Sequence, residues 1–164
     1  DAKRQWDSVR PITAVRWLKR GQLVRAWGGP YQGTKAIRGE DWLPYQPISF
    51  VTPPFAEYIS GHSTFSAAAA AVLQDFTGKD DLGMSITIPA GSSKVEPGAV
   101  PAAPVTLSWK SFTAAADQAG LSRQYGGIHF KDGDLEARVA GEEVGEQAMD
   151  KAVTYFSGKA ILKP

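Results

Sequence analysis

The chain has 164 residues, of which 43% are hydrophobic and 21% charged, and its formal net charge is +1. This composition is typical of one ordinary globular domain and excludes intrinsic disorder. The small net charge gives no indication of a nucleic-acid partner, and the absence of cysteine excludes disulfide scaffolds, thiol nucleophiles and cysteine zinc sites. The longest apolar run, residues 65–73, is far shorter than the roughly 20 residues of a membrane span.

Chain length predicts a molecule large enough to bury its own core. Scaling of surface area with mass gives about 7,900 Å² of exposed surface after folding, and therefore a sizeable core. The first 60 residues are rich in Trp, Pro and Gly, and we expect ordered loops interrupted by one short helix. That helix is predicted over 13–20, with Thr13 as its N-cap and Gly21 as its end.

Three longer helices are predicted after residue 60, over 62–77, 111–124 and 134–157. The first has large apolar residues at helical spacing (Phe65, Ala69, Val72, Leu73 and Phe76), and its alanine run permits close approach of a neighbouring helix. The third has a similar set (Leu135, Val139, Val144, Ala148, Ala152, Tyr155 and Phe156). Between the first two helices, the proline-rich segment 79–109 holds a possible short strand over 85–88. The fold class is therefore mainly α with long ordered loops.

Two groups of residues around the two histidines suggest an anion site. Ser60, Gly61 and His62 lie where a loop enters the alanine-rich helix, and the free N–H groups of a helix start attract an oxyanion. The structural alternative is a capping serine with a half-buried histidine beside it. Arg123 and His129 flank a pair of glycines, which would let both side chains reach one anion. The alternative there is a solvated arginine and a histidine in a turn.

A third basic group lies at the start of the chain. Lys3 and Arg10 are seven residues apart and would share one face of a helix that Pro11 ends. Taken alone, such a pair is usually solvated surface.

Taken in chain order, these groups resemble the motif of a known enzyme family. Lys3-x6-Arg10-Pro11, then Ser60-Gly61-His62, then Ser122-Arg123-x5-His129 is similar to the three-part motif of the vanadium-dependent haloperoxidases, which the type 2 phosphatidic acid phosphatases and soluble bacterial acid phosphatases share. The flanks, 52–73 and 126–130, are similar to the bacterial haloperoxidase branch. The resemblance implies a helical bundle with long ordered loops, in which 1–164 is a single catalytic portion from the C-terminal part of a longer protein.

The resemblance also implies a cofactor and a role for each motif residue. Vanadate would occupy the site, which phosphate or sulfate can also fill. Its oxygens would be bound by three cations, one hydroxyl and one backbone N–H, namely those of Lys3, Arg10, Arg123, Ser60 and Gly61. His129 would be the metal ligand, His62 the general base, and Lys3 would also polarise peroxide. The implied substrates are halide and hydrogen peroxide, and the implied product is hypohalous acid.

Two departures from the motif bear on the function. Ile59 stands where the second block usually begins with proline, and we expect a changed turn there. Phosphatases of the superfamily usually have an aspartate four residues after the last histidine, where this chain has Gly133, between Asp132 and Asp134. That difference favours a haloperoxidase over an acid phosphatase that hydrolyses a phosphate ester through a phosphohistidine. A further alternative is an inactive relative that serves as a binding or structural subunit.

The number of helices predicts a missing part. Three long helices are too few to surround a buried pocket in a bundle. We therefore expect a companion N-terminal segment or chain, or a homo-oligomer, to supply the others. No nucleic-acid partner and no membrane span are expected, and a secreted or periplasmic location is favoured.

Overall fold

A computed structural model describes residues 1–159 of the chain as a mainly helical fold with two small β-hairpins. The helices are α1 (Ala2–Trp6), α2 (Pro11–Leu18), α3 (Gly61–Thr77), α4 (Phe112–Tyr125) and α5 (Lys131–Phe156). The strands are β1 (Leu23–Trp27), β2 (Thr34–Arg38), β3 (Met84–Ile88) and β4 (Val105–Trp109), and two single 3₁₀ turns cover Gly39–Asp41 and Ile48–Phe50. Among the helices of residues 1–159, none combines the length and hydropathy needed to cross a membrane. The mainly α prediction is confirmed.

The start of the chain differs from its prediction in two ways. Arg10 is extended (φ −77°, ψ 151°) and is the N-cap of α2, so the predicted cap Thr13 is wrong. Pro11 opens this helix rather than ending an earlier one, because its fixed φ suits the first helical position. Lys3 belongs to the separate helix α1, which ends before a left-handed Asp7. The two basic residues therefore do not share a helix.

Both hairpins are antiparallel, and one of them lies where loops were expected. Strand β1 pairs with β2 from Leu23 opposite Arg38 to Trp27 opposite Thr34. The predicted strand over 85–88 is present as β3, which begins at residue 84 and pairs with β4. Neither β1 nor β2 was predicted, because each has only five residues and β2 is largely exposed.

Helices α3 and α4 agree with their predicted bounds to within one residue, because capping serines mark where they begin. The Ser60 hydroxyl accepts from the Ser63 N–H at 3.4 Å at the start of α3, and Gly78 ends that helix in the left-handed conformation. The Ser111 hydroxyl caps α4 in the same way. Helix α5 begins at residue 131, three residues earlier than predicted.

The helices pack through small residues. Helix α3 packs against α5 and α4, and a Cβ added at Gly141 or Gly145 would overlap a backbone carbonyl oxygen of α3. The buried apolar residues of the described chain are accordingly small, apart from one isoleucine: Ala70, Ala71, Ala116, Ala137 and Ile128. Close approach of helix backbones explains why glycine and alanine occupy this contact.

Large apolar residues that share a predicted helical face lie on the outside. Phe65 is 77% exposed, Phe76 73% and Val139 55%. The chain exposes 10839 Å², well above the roughly 7,900 Å² expected for a self-contained domain of this mass. The chain therefore buries a smaller core than its length makes feasible, because its helices present their large side chains away from one another.

Candidate active site

Arg10 is buried, with 6% of its surface exposed, and is held by backbone oxygens. Its guanidinium donates to three carbonyl oxygens: Phe55 at 2.7 Å, Ala56 at 3.2 Å and Ile128 at 3.0 Å. Its Nη1 also lies 3.2 Å from Nε2 of His129. Burial lowers the pKa of Arg10 below its ordinary value, and nearby Glu57 partly opposes that effect. Arg10 and His129, two predicted site residues that are 119 positions apart in the sequence, thus meet directly.

The contacts of His129 define where its ring carries a proton. An arginine N–H only donates, so the Nε2 atom that faces Arg10 accepts and bears no hydrogen. The proton is therefore on Nδ1, which donates to Oε1 of Glu57 at 2.7 Å. The same oxygen accepts the Phe130 N–H at 3.1 Å. His129 is thus a neutral imidazole whose Nε2 electron pair points toward the buried guanidinium.

Lys3 is fixed by the loop that leads into α3. Its ammonium group donates to three carbonyl oxygens: Ala56 at 2.9 Å, Glu57 at 3.1 Å and Ile59 at 2.6 Å. The Phe55 ring lies 5.1 Å from this ammonium and 5.0 Å from the Arg10 guanidinium carbon. Burial and the charge of Arg10 lower the pKa of Lys3, while Glu57 opposes them. Residues near the chain start usually fray, and these bonds hold Lys3 in place.

Ser60 is fully buried at the entrance to α3. Its N–H donates to the Gly133 carbonyl oxygen at 2.8 Å, and its hydroxyl caps the helix, as the structural alternative predicted. The peptide bond between Tyr58 and Ile59, just before it, is cis. Gly61 follows as the first helical residue, so its N–H is one of the free donors at the start of α3.

The buried carboxylate of Asp134 is linked to Ser60 through the Ser63 hydroxyl. Asp134 accepts from the Ser63 hydroxyl at 2.6 Å, from Gln124 at 2.6 Å, and from Nη2 and Nε of Arg138 at 2.6 and 3.0 Å. Burial raises the pKa of Asp134, but the hydrogen bonds from Arg138, Ser63 and Gln124 outweigh it and hold that pKa below its usual value. The Ser63 hydroxyl oxygen also lies 2.8 Å from the Ser60 hydroxyl oxygen, so Ser63 links Ser60 to this carboxylate.

His62 and Arg123 lie near His129 but are more open to solvent. His62 is in the first turn of α3, and partial burial, then Arg123, then His129 lower its pKa. Arg123 is half-buried near the end of α4, where its Nε donates to the Ser122 hydroxyl at 3.0 Å. Burial lowers the pKa of Arg123 as well. Arg123 and His129 are thus near enough to His62 to act on its pKa.

The charges of the site are unbalanced. Within residues 1–159, Lys3, Arg10 and Arg123 form no ion pair with a carboxylate, and the acidic group that acts on the first two is Glu57. The same part of the chain has no cluster of three acidic or histidine ligands suited to a metal cation. Three cations with a neutral imidazole nitrogen fit a tetrahedral oxyanion such as vanadate, whose oxygens need donors and whose metal needs one nitrogen.

Sequence analysis did not find the roles of Glu57 and Asp134. Glu57 lies in the flank 52–73, outside the three motif blocks, and it meets its partner 72 residues away, so only the fold reveals the contact. The position of the Glu57 carboxylate also bears on the glycine at 133, where phosphatases of the superfamily usually have an aspartate. A Cβ at Gly133 would overlap the Glu57 carboxylate, which supplies His129 with the carboxylate that an aspartate at 133 was expected to provide. The absence of that aspartate therefore no longer separates a haloperoxidase from a phosphatase.

Comparisons with known proteins agree with this fold and geometry. The family model described as the VCPO second helical-bundle domain matches residues 1–158. The chain belongs to this family, and hence to the vanadium-dependent haloperoxidases, as the motif resemblance indicated. A search of curated proteins gave no match.

Three solved structures are similar to the chain. A holo-type bacterial vanadium-dependent chloroperoxidase is 30% identical, with a TM-score of 0.87 over 96% of this chain and 32% of its own. The apo-type bacterial enzyme is 32% identical, with a TM-score of 0.84 over 90% of this chain and 31% of its own. A bacterial vanadium-dependent iodoperoxidase is 28% identical, with a TM-score of 0.55 over 97% of this chain and 28% of its own. The chain thus spans about a third of the length of these relatives.

Proposed function

We propose that this chain provides the vanadate-binding part of a haloperoxidase that oxidises halide with hydrogen peroxide to hypohalous acid. The observation that carries the proposal is the neutral His129, whose Nε2 electron pair faces the buried Arg10. Lys3 and Arg123 add two further cations without carboxylate partners in residues 1–159. Bound vanadate supplies a Lewis acid that activates peroxide without changing its own oxidation state.

The residues of the chain have distinct roles in this proposal. His129 would hold vanadium through Nε2, in exchange for its contact with Arg10, and the cations with the Ser60 hydroxyl and the Gly61 N–H would bind the oxygens. His62 takes up a proton as general base, a role that suits an imidazole whose lowered pKa keeps it neutral at neutral pH. The positive charge of Lys3 would polarise peroxide. Phosphate and sulfate would compete for the same donors.

A paired assay tests the proposal. The protein is loaded with vanadate or left free of it, and bromination of a phenol dye by hydrogen peroxide is followed in both samples. Activity that appears only with vanadate, and that falls with Arg123→Ala but not with the exposed Arg20→Ala, is the expected result. Absence of halogenation in protein that binds vanadate tightly would contradict the haloperoxidase assignment.

A second candidate function is a phosphatase, and the contact between Glu57 and His129 favours it. A carboxylate that orients a neutral histidine also suits a histidine nucleophile, which would attack phosphorus while His62 protonates the leaving alcohol. Hydrolysis of a phosphate ester that vanadate inhibits, without halogenation, would support this alternative. A protein with neither activity and no vanadate affinity would instead be the inactive relative.

We further propose that the exposed apolar side chains of α3 and α5 are covered by a companion segment, a companion chain or a second copy. The excess exposed surface, about 2,900 Å² over the expectation for this mass, has the size of an obligate interface. Size-exclusion chromatography with mass analysis of the active protein tests this. A fully active monomer of 17.6 kDa would contradict it.

A further inference from the structure

We propose that Glu57 is a positioning residue for His129: its carboxylate keeps the ring proton on Nδ1 and so keeps Nε2 available as an electron-pair donor. We infer also that residue 133 is glycine because this carboxylate occupies the space of a side chain there. The role of this contact in vanadate binding rests on the function proposed above. The orientation of His129 by Glu57 is a property of the vanadate-free protein.

The geometry around His129 is consistent with one tautomer of the ring. With the proton on Nδ1, the contact to Glu57 at 2.7 Å and the contact to Arg10 at 3.2 Å are both donor–acceptor pairs. With the proton on Nε2, two donors would face each other at Arg10, and an electron pair would face the carboxylate at Glu57. Each side chain of the pair is only 4% exposed, so bulk solvent has little access to relieve such repulsion.

Glu57 is itself held in place. Its Oε1 accepts both the His129 ring proton and the Phe130 N–H, so the carboxylate is tied to the backbone next to the histidine that it orients. The Lys3 ammonium donates to the Glu57 carbonyl oxygen at 3.1 Å, which fixes the backbone of the same residue. The carboxylate therefore transmits a defined orientation to the ring.

Gly133 completes the argument. It lies inside α5 without a positive φ, so no backbone requirement calls for glycine, which weakens a helix relative to alanine. An added Cβ would overlap Oε1 of Glu57 and come within 2.7 Å of the carboxyl carbon. A carboxylate supplied from the loop before α3 and a side chain at position 133 are therefore mutually exclusive.

The first experiment measures the His129 tautomer directly, without vanadate. Ring ¹⁵N chemical shifts of the purified protein should show Nδ1 protonated in the unmodified protein and in Glu57→Gln, whose amide oxygen still accepts. In Glu57→Ala only Arg10 still opposes a proton on Nε2, so the fraction of the ring that is protonated on Nε2 should rise, whereas the exposed Glu142→Gln should change nothing. An unchanged tautomer in Glu57→Ala would overturn the inference, whatever the protein binds.

A second variant guards against loss of folding in Glu57→Ala. Gly133→Ala favours the helix but displaces the carboxylate, so it should reproduce the tautomer change. Added to Glu57→Ala, it should cause no further change, because the carboxylate it displaces is already absent. Independent, additive effects of the two substitutions would contradict the link between the residues.

Vanadate titration then connects the device to the proposed function. Substitutions that remove the hydrogen-bonded partner of a metal-binding histidine typically weaken metal affinity by about 10–100-fold. We expect that loss for Glu57→Ala and Gly133→Ala, and recovery of most of the affinity in Glu57→Gln. If the unmodified protein binds no vanadate, the proposed function fails while the tautomer measurement still decides the role of Glu57. Equal vanadate affinity of Glu57→Ala and the unmodified protein would overturn the positioning role.

Discussion

Replacement of Arg123 by alanine should weaken oxyanion binding strongly while leaving the fold almost unchanged. Its Nε donates to the neighbouring Ser122 hydroxyl, and it forms no ion pair among the described residues. Burial lowers its pKa, which means that the folded protein disfavours this charge when it stands alone. A residue that costs stability on its own is typical of a binding site.

The expected magnitude follows from the charge. At an effective dielectric constant of about 20, a unit charge about 4 Å from an anion contributes roughly 4 kcal/mol. Removing the anion from water offsets part of this, and we take about half, or about 2 kcal/mol, which corresponds to about a 30-fold change in Kd. Loss of the single hydrogen bond to Ser122 should change the free energy of unfolding by no more than about 1 kcal/mol.

Two measurements check this prediction. Isothermal titration with vanadate, and separately with phosphate, should give the fall in affinity for Arg123→Ala, with Arg123→Lys intermediate and exposed Arg20→Ala unchanged. Urea denaturation should give nearly equal unfolding free energies for all four proteins. Unchanged affinity in Arg123→Ala, or a large loss of stability, would refute the assignment of Arg123 to the oxyanion site.

Three further predictions follow from the packing and the charges. Asp134→Asn should lower the free energy of unfolding by about 2–4 kcal/mol in urea denaturation, because an amide NH₂ would face the donors of Arg138. His62, with its lowered pKa, should titrate below the ordinary value of about 6.5 in NMR. In the unfolded protein His62 takes up a proton at a higher pH than in the folded protein. The contribution of His62 to stability is therefore complete above its ordinary pKa of about 6.5 and is lost as pH falls through its folded pKa. His62→Gln should remove this pH dependence. Gly141→Leu should cost about 1–3 kcal/mol by forcing α5 from α3, whereas the exposed Glu142→Leu should not.

The sequence predicted helix bounds better than helix faces. Ser60 and Gly78 mark the ends of α3 by local chemistry, which a sequence displays directly. Periodicity alone does not identify the buried face of α3. Large apolar side chains at helical spacing usually face a core, but Phe65 and Phe76 are exposed. In this chain, alanines and glycines face the neighbouring helix. The large residues share another face of each helix, which residues 1–159 leave exposed.

The sequence also predicted only some of the residues of the candidate site. The motif resemblance selected Arg10 and His129, which the fold brings into contact. It did not select Glu57, because a motif records which residue types recur and not which of them meet across 72 positions. The interpretation of Gly133 as a lost carboxylate was incomplete for the same reason: the glycine is a space that another residue fills.

The site also shows how a protein can hold cations without neutralising them. Lys3 and Arg10 donate five hydrogen bonds to carbonyl oxygens of residues 55–59, so dipoles rather than carboxylates fix their positions. Carbonyl oxygens satisfy the donors but carry no net charge, which leaves the positive charge available to an incoming anion. The nearby carboxylate of Glu57 is hydrogen-bonded instead to His129, where it directs a proton. Burial is the main cause of the lowered pKa values of both cations, to which the charge of Arg10 adds at Lys3, and Glu57 opposes the shift at each of them.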